Sequence, residues 1–556
     1  MIARTMPTYH TLGSSKNGQR GGALLVMLVI LVIGITTVFV TSLSSTAINN
    51  KRNQTTADAL AQAKEALIGF AVTYGDDPDH VGETDGYLPC PDMDGTAGGT
   101  PYEGVSETCG NAGENTLGRL PWKTLKLLPL FDGAQECLWY VVSGNYKNNP
   151  KSGLVMNWDT PAQLKIYSAE GMEISPGEIV ALVIAPGAPV SGNSNRAGSA
   201  APICGGNYTA EAYLENDTLH GHNNTNAATG EFIMPHDHRD ADGNVTLSTN
   251  DQFVYITRQD IWTAAEKRIA REAKQCLDAY AASSGGKYPL ATSVSMSSAP
   301  SLFGRLSSSP NRSKPRSQDL EMVSRFETLI PLLLTFRNNR TSQNFAAINT
   351  PASTAKQASR VVRDYYEGIN STLENAADDL KDAADTAMDW TSWPSTSSID
   401  NVLNQIYSAS ADFSTNLPID TGMLANWPAS CTLFSSERWT NHWQNLVFYQ
   451  LADGYRPGTI TPSCGSSCLS IEGSGHSAAG SGSYRAVIIA AGKMLTANRN
   501  SSVTGDYLDP VNPPRDNLLP QIDVSNPYKT YRTTDVAHES NNDLVLCLDG
   551  GAGNCP

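Results

Sequence analysis

The chain has 556 residues and a formal net charge of -16, and no Asp or Glu precedes Asp58. Such an acidic surface repels phosphate backbones, which excludes nucleic-acid binding through a basic patch. The length exceeds what one hydrophobic core fills, so two or three domains are predicted.

The first predicted element is a helix on the apolar run from Ala23 to Val40, where 18 consecutive residues carry no charge. About 20 apolar residues cross the hydrocarbon core of a bilayer, so 22–43 predicts one membrane-spanning helix. Three basic residues and no acid precede the run, which predicts a cytoplasmic N-terminus. The expected localisation is a single-pass inner-membrane protein, N-in and C-out, with a periplasmic head. A place at the tip of a cell-surface filament is a further expectation.

The segment before the apolar run has the pattern of a leader ending at Arg20-Gly21-Gly22. A secretory signal has a shorter apolar core followed by small residues, whereas here the small residues come first. This order resembles the class III signal of type IV prepilins and of the pseudopilins of type II secretion. The resemblance implies cleavage by a prepilin peptidase after Gly21, or one residue later after Gly22, and methylation of the new N-terminus. An ordinary signal-anchored periplasmic protein is the alternative.

The resemblance also bears on position within a filament. Major pilins and most pseudopilins have Glu at mature position 5, where the carboxylate meets the N-terminal amine of a neighbouring subunit. Counted from Gly22, position 5 in this chain is Val26. A buried amine without its carboxylate partner is costly, so the resemblance implies a low-copy subunit at the tip or at initiation.

An amphipathic helix is predicted next, from Ala57 to Tyr74, because apolar residues recur there at helical spacing. Its sequence at 63–71 is echoed at 273–281, and three further matches follow in the same order. They pair Gly118 with Gly304, Leu138 with Leu446, and 181–187 with 486–492. Four ordered matches predict an internal duplication. The offset between copies rises from 186 to 308, so the second copy holds 122 extra residues of helical pattern.

The predicted fold class is α+β: an N-terminal transmembrane helix, then two tandem pilin-like modules, each a helix on an antiparallel sheet. The second module contains an α-helical insertion. The predicted boundaries are 1–21 for the leader, 22–50 for the transmembrane helix, 51–260 for module 1, and 261–556 for module 2, interrupted at about 310–430. A helical domain inserted in a pilin head resembles the large tip pseudopilin of type II secretion systems.

Ten cysteines in a chain exported to an oxidising periplasm predict disulfide bonds. The local candidate pairs are Cys90 with Cys109, Cys464 with Cys468, and Cys547 with Cys555. The spacing of the middle pair also occurs in redox and metal sites. No second cysteine pair or nearby histidine accompanies it, so a structural disulfide is favoured.

Asp92 and Asp94 alternate before a glycine and resemble the start of a calcium loop, but the distal Glu is absent. Pseudopilins often hold calcium in head loops, so calcium is a candidate ligand and a solvated acidic turn is the alternative. No cofactor is required. Asp237, Asp240 and Asp242 form a second, weaker candidate site.

A histidine cluster and a group of tryptophans are the other candidate sites. Four histidines fall within 19 residues, enough to bind zinc: His220, His222, His236 and His238. The surrounding sequence is polar and rich in Gly and Asn, so it does not fix the histidines in the tetrahedral geometry of a zinc site. A solvated loop is therefore favoured over the active site of a metal-dependent hydrolase. Five tryptophans lie near the end of the insertion: Trp390, Trp393, Trp427, Trp439 and Trp443. They predict either an aromatic surface that binds carbohydrate or another subunit, or a buried junction between the insertion and the head.

The sequence contains no nucleophile elbow, zinc-protease helix or phosphate loop, so no enzymatic activity is predicted. The resemblance implies a minor prepilin or pseudopilin-like subunit that primes or caps a type IV filament or a type II secretion pseudopilus. The implied partners are other pilins or pseudopilins, the prepilin peptidase, the inner-membrane assembly platform and the membrane itself. The alternative is a membrane-anchored, adhesin-like binding protein outside any filament.

Overall fold

The computed structural model describes 20–97, 100–174, 178–190, 195–198, 201–239, 245–296, 298–463, 468–472, 484–494, 507–508, 530–532 and 543–549. At 20–45, 96–97, 100–101, 238–239, 245–248, 470–472, 530–532 and 549 only the backbone is described.

These residues include seven α-helices and twenty strands. The helices are α1 Arg20–Val72, α2 Arg258–Ser283, α3 Ser317–Asn338, α4 Ser342–Tyr366, α5 Ser371–Met388, α6 Thr396–Asn416 and α7 Glu437–Asn441. The strands are β1 Thr96–Ala97, β2 Thr100–Pro101, β3 Thr116–Arg119, β4 Trp139–Val142, β5 Lys165–Tyr167, β6 Ile179–Ala185, β7 Asn216–Asp217, β8 His222–Asn223, β9 Glu231–Ile233, β10 His236–Arg239, β11 Val245–Thr249, β12 Gln252–Thr257, β13 Ala291–Thr292, β14 Pro300–Ser301, β15 Phe303–Arg305, β16 Val447–Leu451, β17 Ser470–Glu472, β18 Tyr484–Ala490, β19 Thr530–Arg532 and β20 Leu544–Asp549.

The described part of the chain has no helix with the length and apolar character needed to span a bilayer. The predicted fold class, headed by a transmembrane helix, and the predicted single-pass inner-membrane localisation are therefore wrong. The physical reason is that the described side chains of α1 begin at Thr46 and soon include Lys51, Arg52 and Asp58, charges that hydrocarbon does not accommodate. The side chains of the predicted span, 22–43, lie outside the described residues.

The first large sheet has the strand order β12-β6-β4-β3, and all its pairs are antiparallel. Both faces of β4 and β6 are buried, which is why their sequences are continuously apolar. Successive residues of β4 face opposite cores, because side chains alternate along a strand. Tyr140 and Val142 join the core beneath α1, whereas Trp139 and Val141 join a second core with Phe232.

The second large sheet has the order β14-β13-β15-β16-β18-β20. Its last four strands repeat the antiparallel order β3-β4-β6-β12 of the first sheet. Gly118 lies opposite Tyr140 in the first sheet, and Gly304 lies opposite Tyr449 in the second. A side chain on either glycine meets backbone: its Cβ would lie 2.7 Å from the Asp92 carbonyl at Gly118 and within 2 Å of a carbonyl at Gly304. The two sheets therefore share topology, register and a close backbone approach at the same position.

Helices α1 and α2 lie together in one core that serves both sheets. Ala63 and Leu67 of α1 are fully buried, as are Ile269 and Leu277 of α2. The short alanine side chains let the two helices approach closely. As a result the two helix-on-sheet units pack around a single continuous hydrophobic core.

Helices α3 to α6 lie between β15 and β16 and form a bundle in which each packs on the next and α6 returns to α3. The bundle has its own core, with Phe326, Leu333 and Leu380 at 0% exposure. The sequence pattern predicts one helix over 354–390, but the chain turns there at Gly368, whose φ is +70°. Glycine adopts this left-handed conformation without strain, so α4 ends and α5 begins after the N-cap residue Asn370.

Candidate functional site

Disulfides join Cys90 to Cys109, Cys137 to Cys204 and Cys276 to Cys431. The first is the pair expected from local spacing, and the other two join cysteines 67 and 155 residues apart. Cys468 and Cys547 are also disulfide-bonded. Cys464 and Cys555 lie outside the described residues, so the other two predicted pairs stay predictions.

The two acidic residues predicted to start a calcium loop lie in different surroundings. Asp92 is buried, and its carboxylate accepts hydrogen bonds from Gly95 N, Gly104 N and Tyr208 Oη at 2.9, 2.6 and 2.8 Å. Its oxygens are thus already engaged by protein donors. A calcium role for Asp92 and Asp94 stays a prediction.

The fold adds a third acid, Glu107, that sequence spacing did not associate with Asp92 and Asp94. Burial, followed by the negative charges of Asp94 and Asp92, raises the pKa of Glu107 to about 7. Burial likewise raises the pKa of Asp92. Glu107 is therefore a carboxyl group that titrates near neutral pH.

The histidine-rich segment is organised by two pairs of short strands. Strands β7 and β8 form an antiparallel hairpin whose turn carries His220, and Asp217 is the last residue of β7. Strands β5 and β9 are parallel, so the segments that follow them start at the same end of the strand pair. The amide of Met234 after β9 donates to the carbonyl of Tyr167 at 3.0 Å. This arrangement brings His236 toward the hairpin turn.

Asp217, His220 and His236 meet in this place, and one ligand atom from each lies within 4.8 Å of the others. His220 Nδ1 lies 2.8 Å from Asp217 Oδ2, and His236 Nε2 lies 3.5 Å from Asp217 Oδ1. The side chains of Asp217 and His236 are 0% and 4% exposed. Although burial opposes it, hydrogen bonds from the His220 ring and from backbone amides lower the pKa of Asp217. The site therefore holds a buried carboxylate between two imidazoles.

The hydrogen bonds of His236 determine which ring nitrogen carries its proton. Nδ1 lies 3.0 Å from the carbonyl oxygen of Met234, so Nδ1 is the donor in the neutral ring. Nε2 then presents a lone pair. It is buried and has no hydrogen-bond partner among the described residues.

The structure does not place the other two histidines of the predicted cluster in this site among its described side chains. His222 stacks on Tyr167 at 3.8 Å between ring centroids, and the side chain of His238 lies outside the described residues. Asp237 is exposed, while Asp240 and Asp242 lie outside the described residues. Asp217 is not predictable as a ligand from the sequence, because an Asp three residues before a His in a turn carries no metal-binding signature.

The tryptophans near the insertion are mostly structural. Trp439 and Trp443 are buried, and Trp427 packs against the same core as a partly buried residue. Trp390 packs on the bundle, and Trp393 is half exposed. Because the rings are dispersed and largely covered, they form no continuous aromatic surface in the described part of the chain. The interpretation that tryptophans bury the junction between insertion and head is therefore the better one for 427–443.

The N-terminal part of α1 leaves the head before any described residue covers it. Residues 46–54 are all exposed, and Thr56 is the first buried residue among the described side chains of the helix. From there to its end at Val72, α1 contacts β6, β12 and α2. The predicted leader residues Gly21 and Gly22 and the position-5 residue Val26 belong to the backbone of α1, and their side chains lie outside the described residues.

No family model, curated protein or solved structure matches this chain.

Proposed function

We propose that this chain is a minor, non-enzymatic subunit of a type IV filament or a type II secretion pseudopilus, placed at the tip or at initiation. The observation that carries the proposal is helix α1, which supports the head at one end and extends from it at the other. The proposal also rests on the resemblance of the leader, with its glycines before an apolar helix, to prepilins.

The extended part of α1 needs a partner. From Arg20 to the last exposed residue before the head, the helix covers about 35 residues, or about 50 Å at 1.5 Å per residue. Isolated helices gain little stability from propensity alone, and most helical stability comes from packing of an apolar face. The sequence at 23–40 is wholly uncharged and rich in Val, Ile and Leu. In the proposed filament, this apolar segment packs against the equivalent helices of other subunits.

The other end of α1 is fixed firmly in the head. Ala63, Leu67 and Ala71 are completely buried between the first sheet and α2. The guanidinium of Arg268 donates to the carbonyl of Val72 at 2.6 Å at the C-terminal end of α1. About two turns before that end, Lys64 Nζ lies 3.1 Å from Asp260 Oδ2 of α2. A head mounted in this way moves with its helix, as a filament subunit requires.

The size of the head supports a terminal position. Two helix-on-sheet units and a four-helix bundle project from a single α1, so a tightly wound shaft of identical copies would be crowded. Val26 at position 5 agrees with this, since it offers no carboxylate to a preceding amine. A subunit at the end has no subunit ahead of it and is free of both restrictions.

Photo-crosslinking in cells tests the proposed contact. A photo-reactive amino acid is placed at Asn49, on the exposed part of α1, and at Glu367, exposed at the end of α4, as the matched control. The proposal predicts crosslinks from position 49, but not from 367, to other pilin-like subunits. Absence of such crosslinks from position 49 would contradict it and favour a binding protein outside any filament.

A further inference from the structure

We infer that Asp217, His220 and His236 bind one divalent transition-metal cation, zinc above all, in a site that clamps the β7–β8 hairpin to the start of β10. This inference is independent of the proposed function.

The donor set fits zinc. Zinc is bound in proteins by imidazole nitrogen and carboxylate oxygen at about 2.0–2.2 Å, with four ligands in a tetrahedron. Such a tetrahedron places its ligand atoms about 3.3 Å apart. The separation between His236 Nε2 and Asp217 Oδ1 is 3.5 Å, and the three candidate ligand atoms span at most 4.8 Å. Small rotations of the side chains therefore bring these three ligand atoms to the separations of a tetrahedral site. Calcium and magnesium prefer oxygen ligands and fit this set poorly.

The His236 ring is oriented as a ligand. Its Nδ1 donates to the carbonyl of Met234, the outer-shell contact that fixes the tautomer of metal-binding histidines and exposes the Nε2 lone pair. That lone pair is buried and lacks a hydrogen-bond partner among the described residues. A buried acceptor without a partner costs free energy, and a cation at this point removes that cost.

The electrostatics favour a cation as well. The Asp217 carboxylate is completely shielded from solvent, where a negative charge is costly unless a cation lies near it. A divalent cation compensates the charge and engages both rings together.

The turn that follows β5 covers the site on the side of His220. A Cβ on Gly171 would lie 2.7 Å from His220 Cδ2, so the turn backbone lies directly on the ring. Glu170 in the same turn accepts a hydrogen bond from the Ser168 hydroxyl at 2.7 Å. The turn thus restricts the His220 ring.

Zinc binding by the purified full chain tests the inference. After removal of metals with a chelator, ZnCl₂ is titrated calorimetrically, and cobalt(II) is added separately to record the visible spectrum of a tetrahedral site. One equivalent of zinc is expected. His220→Ala, His236→Ala and Asp217→Asn are expected to weaken binding at least about 100-fold, because even outer-shell substitutions cost 10–100-fold.

His222→Phe is the matched control, since it removes a histidine from the same segment and keeps a ring over Tyr167. It is expected to bind zinc as the wild type does. Circular dichroism of each metal-free variant separates loss of a ligand from loss of the fold. Failure of the folded wild type to bind zinc would overturn the inference, as would unchanged binding by folded His236→Ala or equal loss in His222→Phe. None of these outcomes depends on filament assembly.

Discussion

Asp85 and Arg438 are 353 residues apart in sequence, and their side chains meet at 3.5 Å in the seam between the two helix-on-sheet units. Arg438, from α7, also contacts Asp76 and Glu272, both at 2.8 Å. The indole of Trp443 donates to Asp85 at 3.0 Å. This network joins the end of α1, α2 and the chain segment that returns from the bundle.

Arg438→Met is expected to destabilise the protein by about 3–5 kcal/mol, because it removes the cation that is paired with the buried Asp85. Burial, opposed by Arg438, already raises the pKa of Asp85, and losing the cation raises it further. A carboxyl group whose folded pKa is raised stabilises the fold only while it is protonated, so the loss is larger at pH 8 than at pH 5. Arg325→Met is the control, because its pair with Glu321 is exposed and worth less than about 1 kcal/mol. Urea unfolding at both pH values measures the difference.

Glu107→Gln is expected to stabilise the protein above pH 7. The pKa of Glu107 is raised from 4.5 to about 7, so its contribution to stability is present below pH 4.5 and is lost as pH rises through 7. The amide cannot ionise and has no charge to repel Asp92 and Asp94. Thermal unfolding from pH 4 to pH 8 should show a smaller decline for the variant than for the wild type. Glu65→Gln, on the exposed face of α1, makes the same charge change and should leave the slope unaltered.

Gly171→Ala is expected to destabilise the head and to weaken zinc binding. Gly171 has φ of +74°, and an added Cβ would lie 2.7 Å from the His220 ring. Gly153 has a similar φ of +82° but nothing within 4 Å of its Cβ. Gly153→Ala is the matched control, since it carries the backbone strain, worth roughly 1 kcal/mol, without the clash. Equal zinc affinity in both variants would show that the turn does not restrict His220.

Loss of the Cys276–Cys431 disulfide is expected to cost more stability than loss of Cys90–Cys109. The first closes a loop of 155 residues and the second a loop of 19. The chain-entropy estimate gives roughly 5 kcal/mol for the longer loop and roughly 3 kcal/mol for the shorter. Paired Cys→Ser variants compared by denaturant unfolding measure the order, and the reverse order would mean that local strain outweighs loop length.

The sequence predicts the local elements of this fold better than its long-range contacts. The apolar runs at 138–142 and 179–184 coincide with β4 and β6, because strands buried on both faces need continuous apolar sequence. The alignment of Leu138 with Leu446 is one residue away from the register that places Tyr140 opposite Gly118 and Tyr449 opposite Gly304.

The candidate sites were harder to predict because they depend on contacts between distant segments. Glu107 reaches Asp92 and Asp94 through the course of its loop, and Asp217 reaches His236 through the pairing of β5 with β9. No spacing rule encodes either contact. The prediction of a membrane-spanning helix rested on hydropathy at 22–43 alone, and no described helix supports it.

Quantitative proteomics of sheared and purified filaments tests the central claim most directly. The account predicts that this chain is present in filaments at a small fraction of the copy number of the major subunit, and that its deletion lowers the number of filaments more than their thickness. Abundance equal to that of the major subunit would contradict the tip or initiating position. Complete absence from filaments, with normal filament number after deletion, would contradict the proposed function itself.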